Sequence, residues 1–207
     1  MLYIFDETLK DDDVLIESMI PMLSEQRRVK VLKLRNNKSK ITSATVYLLL
    51  RLALLEGYSI ARVVEFDYSD KGKPELKDYP HIHFNLSHSG DMAACVISSA
   101  DVGVDVQRIG PVKDNVAKRV LTAEEYAGFK NADNPDEFFC EVWVIKESYL
   151  KLTGQGISDE LREISAEGIQ DKMIYRGADY FCCVCGVGAE AMQIKFIGRD
   201  DFEQLRN

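Results

Sequence analysis

Two carboxylates that lie far apart in the chain have neighbours that suggest metal chemistry. Asp105 lies in the apolar sequence Gly-Val-Asp-Val-Gln, where the two-residue period of a strand places its side chain on the same face as that of Gln107. Glu147 precedes Lys151 by four residues, so both occupy one face of a predicted helix. Carboxylate and amide oxygens suit Mg²⁺, which is typically shared with substrate phosphates. The simpler alternatives are a turn aspartate and a surface ion pair between Glu147 and Lys151.

A second group of polar residues could contact an anion. The sequence 85–90 reads Asn-Leu-Ser-His-Ser-Gly, and Ser87 and His88 would face opposite sides of a strand, which disfavours a serine–histidine nucleophile pair. The pattern is not the Gly-x-Ser-x-Gly turn of the α/β-hydrolases. Together with Lys73, from a predicted turn at 71–74, these side chains would supply several hydrogen-bond donors to a phosphate.

A basic stretch lies in the first quarter of the chain. Residues 26–55 contain no Asp or Glu and carry eight positive charges, from Arg27, Arg28, Lys30, Lys33, Arg35, Lys38, Lys40 and Arg51. Clustered cations raise the local concentration of anions, so this stretch could bind phosphates or steer an acidic partner. A solvated helix face is the alternative, because charge runs on helices are common.

The overall composition restricts the class of protein. The chain has 207 residues, of which 46% are hydrophobic and 29% charged, as in soluble globular proteins. Its 34 acidic and 26 basic residues give a net charge of −8, which argues against a globally basic nucleic-acid binder. No run approaches the ~18 apolar residues of a membrane span, and residues 1–13 lack the pattern of a signal peptide. We therefore expect a cytoplasmic protein without a membrane or nucleic-acid partner.

The cysteines do not suggest a disulfide framework. Five is an odd number in a chain without a secretion signal, so reduced thiols are expected. Cys182, Cys183 and Cys185 include a C-x-x-C spacing, but a structural zinc site needs four ligands and the sequence has no second pair. Buried thiols are favoured over a zinc site.

The first half of the chain mixes helices and strands. The apolar spacing predicts a long helix over 40–56 with Gly57 as its C-cap, preceded by helical segments over 13–34 that Pro21 interrupts. Strands are predicted at 2–5, 64–68, 82–86 and 92–97.

The second half has a similar order of elements. A strand is predicted over 102–106, Thr122 and Glu125 form a capping box, and a long helix runs from Pro135 to about Thr153, with Gly154 past its end. Further strands are predicted at 173–175, 180–187 and 192–197. The chain therefore divides into two α+β halves that meet near 99–101.

Four motifs, in this order, resemble those of the Sfp-type 4′-phosphopantetheinyl transferases. They are Gly-Lys-Pro at 72–74, Asn-Leu-Ser-His-Ser-Gly at 85–90, Gly-Val-Asp-Val-Gln at 103–107 and Trp-Val-Ile-Lys-Glu-Ser-Tyr-Leu-Lys at 143–151. The resemblance extends from about Ser24 to Ile157. It implies an α+β fold of two pseudo-symmetric lobes, 1–100 and 101–207, each with a small antiparallel sheet packed against a long helix. The active site would lie between the lobes, and the metal-binding motifs in the second.

The resemblance also implies an activity. The enzyme would transfer 4′-phosphopantetheine from coenzyme A to a serine of an apo acyl or peptidyl carrier protein and release adenosine 3′,5′-bisphosphate. An acidic carrier protein would dock near the lobe junction and the basic stretch. With both lobes in one chain, a monomer is expected.

Motif positions assign the residues to three groups. The catalytic residues would be Asp105, Glu147 and Lys151. The ligands of Mg²⁺ would be Asp105, Gln107 and Glu147. The contacts to coenzyme A would be Arg27, Lys30 and Ser43 around its adenosine end and 3′-phosphate, and Lys73, Ser87, His88, Lys146 and Lys151 elsewhere.

Gln107 departs from the family pattern Gly-(Val/Ile)-Asp-x-Glu, which has a second acidic residue at this position. A neutral amide can bind the metal or hold a metal-bound water, but it adds no charge, so the affinity for Mg²⁺ should fall. Any proton-accepting role of that glutamate would pass to Glu147 or to a metal-bound water. Two alternatives follow: a non-catalytic relative that binds coenzyme A or a carrier protein, and a metal-dependent phosphohydrolase that uses the same carboxylates.

Overall fold

A computed structural model describes residues 1–8, 13–155 and 159–206; Ile157, where the family resemblance ends, lies outside them. Within these ranges the chain forms six α-helices: α1 (Asp13–Met19), α2 (Glu25–Leu32), α3 (Asn37–Tyr58), α4 (Asp114–Val120), α5 (Ala123–Asn131) and α6 (Pro135–Thr153). The same ranges contain nine strands: β1 (Leu2–Phe5), β2 (Phe66–Tyr68), β3 (Pro74–Leu76), β4 (His83–Ser89), β5 (Met92–Ser98), β6 (Gly103–Arg108), β7 (Lys172–Arg176), β8 (Tyr180–Cys185) and β9 (Ile194–Phe196). Short 3₁₀ helices at Ile20–Met22, Asp159–Glu163, Ala189–Ala191 and Arg199–Arg206 connect or end these elements.

Two sheets stack between two long helices. The first sheet has the strand order β4-β5-β1-β9 and is covered by α3, whereas the second has the order β6-β8-β7 and is covered by α6. Neighbouring strands are antiparallel except β1 and β9, which run parallel. β2 and β3 form a separate hairpin, in whose turn Gly72 has a φ of 82°. The predicted α+β fold with two lobes is confirmed.

Alternate residues along the strands separate the apolar cores. On β1, Leu2 and Ile4 face the second sheet, while Tyr3 and Phe5 pack under α3. On β6, Val104 and Val106 pack against the first sheet in the same central core. Since side chains alternate along a strand, Asp105 faces α6. Asp105 therefore lies between two valines but points to the opposite face of the strand.

The long helix α3 begins and ends at residues that satisfy its terminal backbone groups. The Asn36 side chain caps its start by accepting from the Ser39 N–H (2.8 Å). The prediction that Gly57 caps the end is wrong, because α3 runs to Tyr58 and Ser59 takes the left-handed conformation with a φ of 56°.

The length and composition of α3 would also allow it to cross a membrane, with a mean hydropathy of 1.2 over its most apolar window. However, 72% of that window is buried inside the fold, where α3 packs on β5 and on α1 and α2. The core helix of a globular protein passes the same test, so this helix is weak evidence for a membrane span.

The helix α6 packs on β6 with direct backbone contact. A Cβ atom built on Gly103 would lie 2.0 Å from Ser148 O and 2.5 Å from Leu152 N, both backbone atoms of α6. The helix starts as predicted, with Pro135 in its first turn and Asn134 as its N-cap, and it ends at Gly154, whose φ is 67°. Because Gly103 has no side chain, β6 approaches α6 closely at this point, and the residues that follow Gly103 lie close to that helix.

The strand at the C-terminal end does not stay with the second sheet. β9 pairs in parallel with β1, so residues 194–196 complete the sheet of the first lobe. The division at residue 100 remains a prediction. β3 and α4 are elements that the sequence patterns did not indicate.

The five cysteines are free and buried, as the reduced-thiol prediction requires. Cys182 faces the central core between the sheets, whereas Cys183 and Cys185 face the core under α6. The C-x-x-C pair Cys182 and Cys185 therefore points to opposite faces of β8, which disfavours a shared metal ion.

Candidate functional site

Asp105 is the centre of a buried polar cluster at the junction of the lobes. Its side chain is held at Oδ1, which accepts from Ser87 Oγ (2.7 Å) and Lys151 Nζ (2.6 Å). Lys151 Nζ also donates to Ser87 Oγ (2.9 Å). Asp105 is only 6% exposed, and its Oδ2 is buried with no hydrogen-bond partner among the described residues.

Glu147 joins this cluster from α6, one helical turn before Lys151. It is 5% exposed, and its buried Oε1 has no hydrogen-bond partner within the described part of the chain. Burial raises the pKa of Glu147, the charge of Asp105 raises it further, and the charge of Lys151 opposes both. The two carboxylates that the sequence places 42 residues apart therefore influence each other electrostatically in the folded chain.

The donor set fits a hard divalent cation such as Mg²⁺. Each carboxylate keeps one buried oxygen without a partner among the described residues, a costly arrangement that a bound cation would relieve. The half-buried Gln107 follows Asp105 on the same strand face. Residues 1–8, 13–155 and 159–206 contain no group of three or more His, Cys, Asp or Glu that could hold a metal ion. Gln107, water or substrate oxygens would have to complete the coordination.

A cleft of about 730 Å³ opens on the side of the first lobe. Four of the predicted contacts line it: Arg27, Lys30, Ser43 and His88. Arg27 is fixed by donating from Nη2 to Ser43 O (2.8 Å), and its Nε is buried without a hydrogen-bond partner among the described residues. The cleft therefore presents positive charge and free donors, as an anion site requires.

The N-terminus of α3 also borders this cleft, a feature that the sequence analysis did not identify. Asn36, Lys38, Ser39 and Thr42 are part of the lining. The positive end of a helix dipole and its free N–H groups favour an anion at this position. Asn36 is a preferred N-cap residue, and that signal could have placed the helix start three residues earlier than predicted.

A second cavity, of about 260 Å³, adjoins the cleft. Gly72, Pro74 and Leu86 line both, while Lys73, Glu147 and Lys151 belong to the second cavity. Lys73 Nζ donates to Leu152 O (3.0 Å) and pairs with Asp101 (3.4 Å). The cluster therefore borders the smaller, more apolar cavity through Glu147 and Lys151, and that cavity adjoins the anion cleft.

His88 is exposed at the wall of the cleft, and nearby charges affect its pKa. Partial desolvation lowers the pKa of His88, and the charges of Lys151, Arg27 and Lys30 lower it further. The neighbouring Asp105 opposes these effects. Desolvation is the larger cause of the shift, and Lys151, Arg27 and Lys30 add positive charge near His88.

The structure brings together most of the predicted residues but not Lys146. Lys146 is 0% exposed, and its Nζ donates to Val120 O (2.8 Å), Leu161 O (3.0 Å) and Glu125 Oε2 (2.5 Å). All three ammonium protons are therefore used inside the second lobe, away from the cluster. Lys146 joins helices instead of contacting a cofactor, which corrects the predicted role.

Two more predicted contributors lie apart from the anion cleft. Arg51, counted in the basic stretch, is buried and donates to Met22 O (2.9 Å) and Ala61 O (2.5 Å). Ser87 is buried beneath the cleft, where it contacts Asp105 and Lys151. Arg51 therefore holds together segments of the first lobe, and Ser87 belongs to the cluster around Asp105.

The sequence is similar to that of known proteins. Residues 101–189 match the 4′-phosphopantetheinyl transferase superfamily. The chain is 31% identical over 159 residues to the 4′-phosphopantetheinyl transferase psf-1 of Bacillus pumilus, covering 75% of this chain and 68% of the relative. It is 28% identical over 161 residues to the 4′-phosphopantetheinyl transferase Sfp of Bacillus subtilis (strain 168), covering 76% and 72%, and 39% identical over 111 residues to HetI of Nostoc, covering 49% and 46%. The chain belongs to the 4′-phosphopantetheinyl transferase family.

Proposed function

We propose that this protein transfers the 4′-phosphopantetheine group of coenzyme A to the serine of an apo acyl or peptidyl carrier protein, with Mg²⁺, and leaves adenosine 3′,5′-bisphosphate. One observation carries the proposal: Asp105 and Glu147 each keep a buried oxygen without a partner among the described residues, and Lys151, which binds Asp105, lines with Glu147 the cavity that adjoins the anion cleft. A pyrophosphate crossing from the cleft into that cavity would place its reacting phosphorus next to the cluster.

The cleft supplies contacts for the nucleotide end of coenzyme A. Arg27, Lys30, Ser43 and His88 would surround the 3′-phosphate and the adenosine end. Lys73 and Lys151 would lie along the pyrophosphate in the adjoining cavity. Among the described residues, Ser87 and Asp105 take two of the three protons of the Lys151 ammonium, and the third would be available to a phosphate oxygen.

Asp105, Gln107 and Glu147 would hold the metal ion. When bound, Mg²⁺ would offset the negative charge that develops on the attacked phosphorus and on the leaving group. Since Gln107 is neutral, this chain supplies two negative charges to the ion. We expect weaker Mg²⁺ binding than a site with three carboxylates would give.

The transfer is a single displacement at the β-phosphorus of coenzyme A. The serine oxygen of the carrier protein attacks the β-phosphorus, a new P–O bond forms, and the bond to the bridging oxygen breaks. The bridging oxygen leaves with the electron pair on adenosine 3′,5′-bisphosphate, and the serine proton must be accepted nearby. Among this chain's own groups, Glu147 suits that role through the carboxylate oxygen that a bound cation would leave free, because burial and the charge of Asp105 raise its pKa.

The exposed face of α2 is the proposed docking surface for the carrier protein. Val29 is 49% and Leu32 55% exposed, and the exposed cations Arg28 and Lys33 flank them. Carrier proteins of this kind are acidic, so the charge of this surface complements them although the whole chain carries −8. Salt should weaken this association.

The buried free thiols agree with a reducing, cytoplasmic location, and we propose that the enzyme acts as a monomer.

Intact-mass spectrometry tests the function. An apo carrier protein incubated with this protein, coenzyme A and Mg²⁺ should gain the mass of one phosphopantetheine, and the gain should disappear without metal or with Asp105→Asn or Glu147→Gln. Glu141→Gln is the matched control, since Glu141 lies on the same helix outside both cavities, and it should retain activity.

The failures are distinguishable. Binding of coenzyme A without any mass gain on several acyl and peptidyl carriers would replace the proposal with a non-catalytic relative. Release of adenosine 3′,5′-bisphosphate without a carrier protein would indicate a phosphohydrolase.

A further inference from the structure

The two lobes are joined by a row of side-chain hydrogen bonds between β4 and β6. β6 pairs with β8 through one edge, and on its other edge alternate N–H groups point toward β4. Val104 N donates to Asn85 Oδ1 (3.0 Å), Val106 N to Ser87 Oγ (3.3 Å) and Arg108 N to Ser89 Oγ (3.2 Å). These bonds satisfy a strand edge that would otherwise leave buried donors unpaired.

Ser87 differs from the other members of this row by its contact with the polar cluster. Its hydroxyl donates to Asp105 Oδ1 (2.7 Å) and accepts from Val106 N and Lys151 Nζ. A serine hydroxyl has one donor proton and two acceptor positions, so these three contacts occupy it fully. The hydroxyl thus links Asp105, Lys151 and the backbone of β6.

We propose that Ser87 is a positioning residue for the metal-binding carboxylate. By holding Asp105 through Oδ1, together with Lys151, it leaves Oδ2 as the oxygen available to a cation. Because the same oxygen accepts from β6, the orientation of the carboxylate is tied to the junction of the lobes. The inference rests on the proposed function, since it assigns a role within that site.

The chain offers a matched comparison. Ser87→Ala and Ser89→Ala each remove one hydroxyl of β4 that accepts an N–H of β6, but among the described residues only Ser87 of this pair contacts Asp105. Loss of a group that orients a metal ligand typically lowers metal affinity about 10- to 100-fold. Both variants should lower the urea midpoint, whereas only Ser87→Ala should weaken metal binding.

Metal binding is measured directly with Mn²⁺, a paramagnetic ion that also prefers oxygen ligands. The free Mn²⁺ signal in electron paramagnetic resonance is titrated with protein in the presence of coenzyme A. We expect at least tenfold weaker Mn²⁺ binding and a lower kcat for Ser87→Ala, with the KM for coenzyme A unchanged. Ser89→Ala should keep the wild-type affinity and kcat. Ser87→Cys, which fills the volume with a weak donor, provides the same comparison if Ser87→Ala does not fold.

Two results would overturn the inference. A raised KM for coenzyme A with unchanged Mn²⁺ affinity would make Ser87 a cofactor contact, and identical behaviour of Ser87→Ala and Ser89→Ala would leave it a structural link alone. If the wild type fails to modify a carrier protein but its Mn²⁺ affinity still depends on Ser87, the proposed function falls and the positioning role stands.

Discussion

The contact between Gly103 and α6 allows one substitution to test how the site is built. In Gly103→Ala the new methyl group would lie 2.0 Å from Ser148 O and 2.5 Å from Leu152 N. Both are backbone atoms, so they cannot rotate away as the end of a side chain could. To reach even the 3.0 Å limit of real Cβ contacts, α6 must move by about 1 Å relative to β6. Overpacking of a well-filled core costs about 1–3 kcal/mol, and a backbone clash belongs at the upper end, so we expect a loss of about 3 kcal/mol.

The same movement should damage the site. Asp105 lies on β6, whereas Glu147 and Lys151 lie on α6, so a shift between the two elements changes the distance of Asp105 from both. A displacement of about 1 Å at a catalytic site can cost about 100-fold in rate. We therefore expect Gly103→Ala to lose about two orders of magnitude in kcat as well as stability.

Urea denaturation and the intact-mass assay measure the two effects. Gly110→Ala is the matched control, because nothing lies within 4 Å of the Cβ position at Gly110 and its φ is not positive. That variant should have unchanged or slightly higher stability and normal activity. A Gly103→Ala protein with wild-type stability would contradict the packing argument, and a destabilised protein with full activity would contradict the link between packing and catalysis.

Three further predictions follow from the charges of the site and its surroundings. Gln107→Glu places a second carboxylate on the strand face of the first, about 7 Å away, where an effective dielectric of about 20 gives about 2 kcal/mol of repulsion before solvent screening. Without divalent ions its unfolding free energy should fall by about 1 kcal/mol, and its Mn²⁺ affinity should rise about tenfold, whereas exposed Gln193→Glu should change neither. The pKa of His88, followed by NMR, should lie below 6.5 in the free protein and rise on binding adenosine 3′,5′-bisphosphate. Because the pKa of His88 is lower in the folded than in the unfolded chain, the free energy of unfolding should fall as the pH drops below about 6.5. Lys146→Met should lower the unfolding free energy by about 3 kcal/mol by leaving Glu125 without its buried partner, and a second change, Glu125→Gln, should recover part of that loss, with the KM for coenzyme A unaffected.

The sequence patterns predicted the elements that local signals define. The capping box of Thr122 and the proline and glycine at the two ends of α6 are local signals, and the structure has them at the predicted positions. The crossing of β9 to the first sheet is not local, because its partner β1 lies at the other end of the chain. The residue pattern of a strand indicates which of its faces is buried, but it does not indicate which strand pairs with it.

The error at Lys146 had a signal in the sequence. Successive residues of an α-helix are about 100° apart, so Glu147 and Lys151 lie about 40° apart, whereas Lys146 and Lys151 lie about 140° apart. One binding site on one face could hold the first pair but not both lysines. The motif assigned neighbouring residues of the helix to one site. Helix geometry instead places Lys151 in the site, where it pairs with Asp105, and Lys146 in a buried ion pair with Glu125.

The geometry that joins the lobes also determines how the site can work. Arg27 and His88 come from the first lobe, and Asp105 and Lys151 from the second, so catalysis depends on their relative placement. The sheets share an apolar core, and separation of the lobes would exchange the bonds between β4 and β6 for bonds to water, at a net cost of about 0.5–1.5 kcal/mol each. A hinge between the lobes is therefore opposed, and the anion cleft and the carboxylate cluster are held in a fixed relation before any ligand binds. Adjustment to the substrate falls to side chains near the cluster, above all to Lys151, which within the described part of the chain uses two of its three ammonium protons.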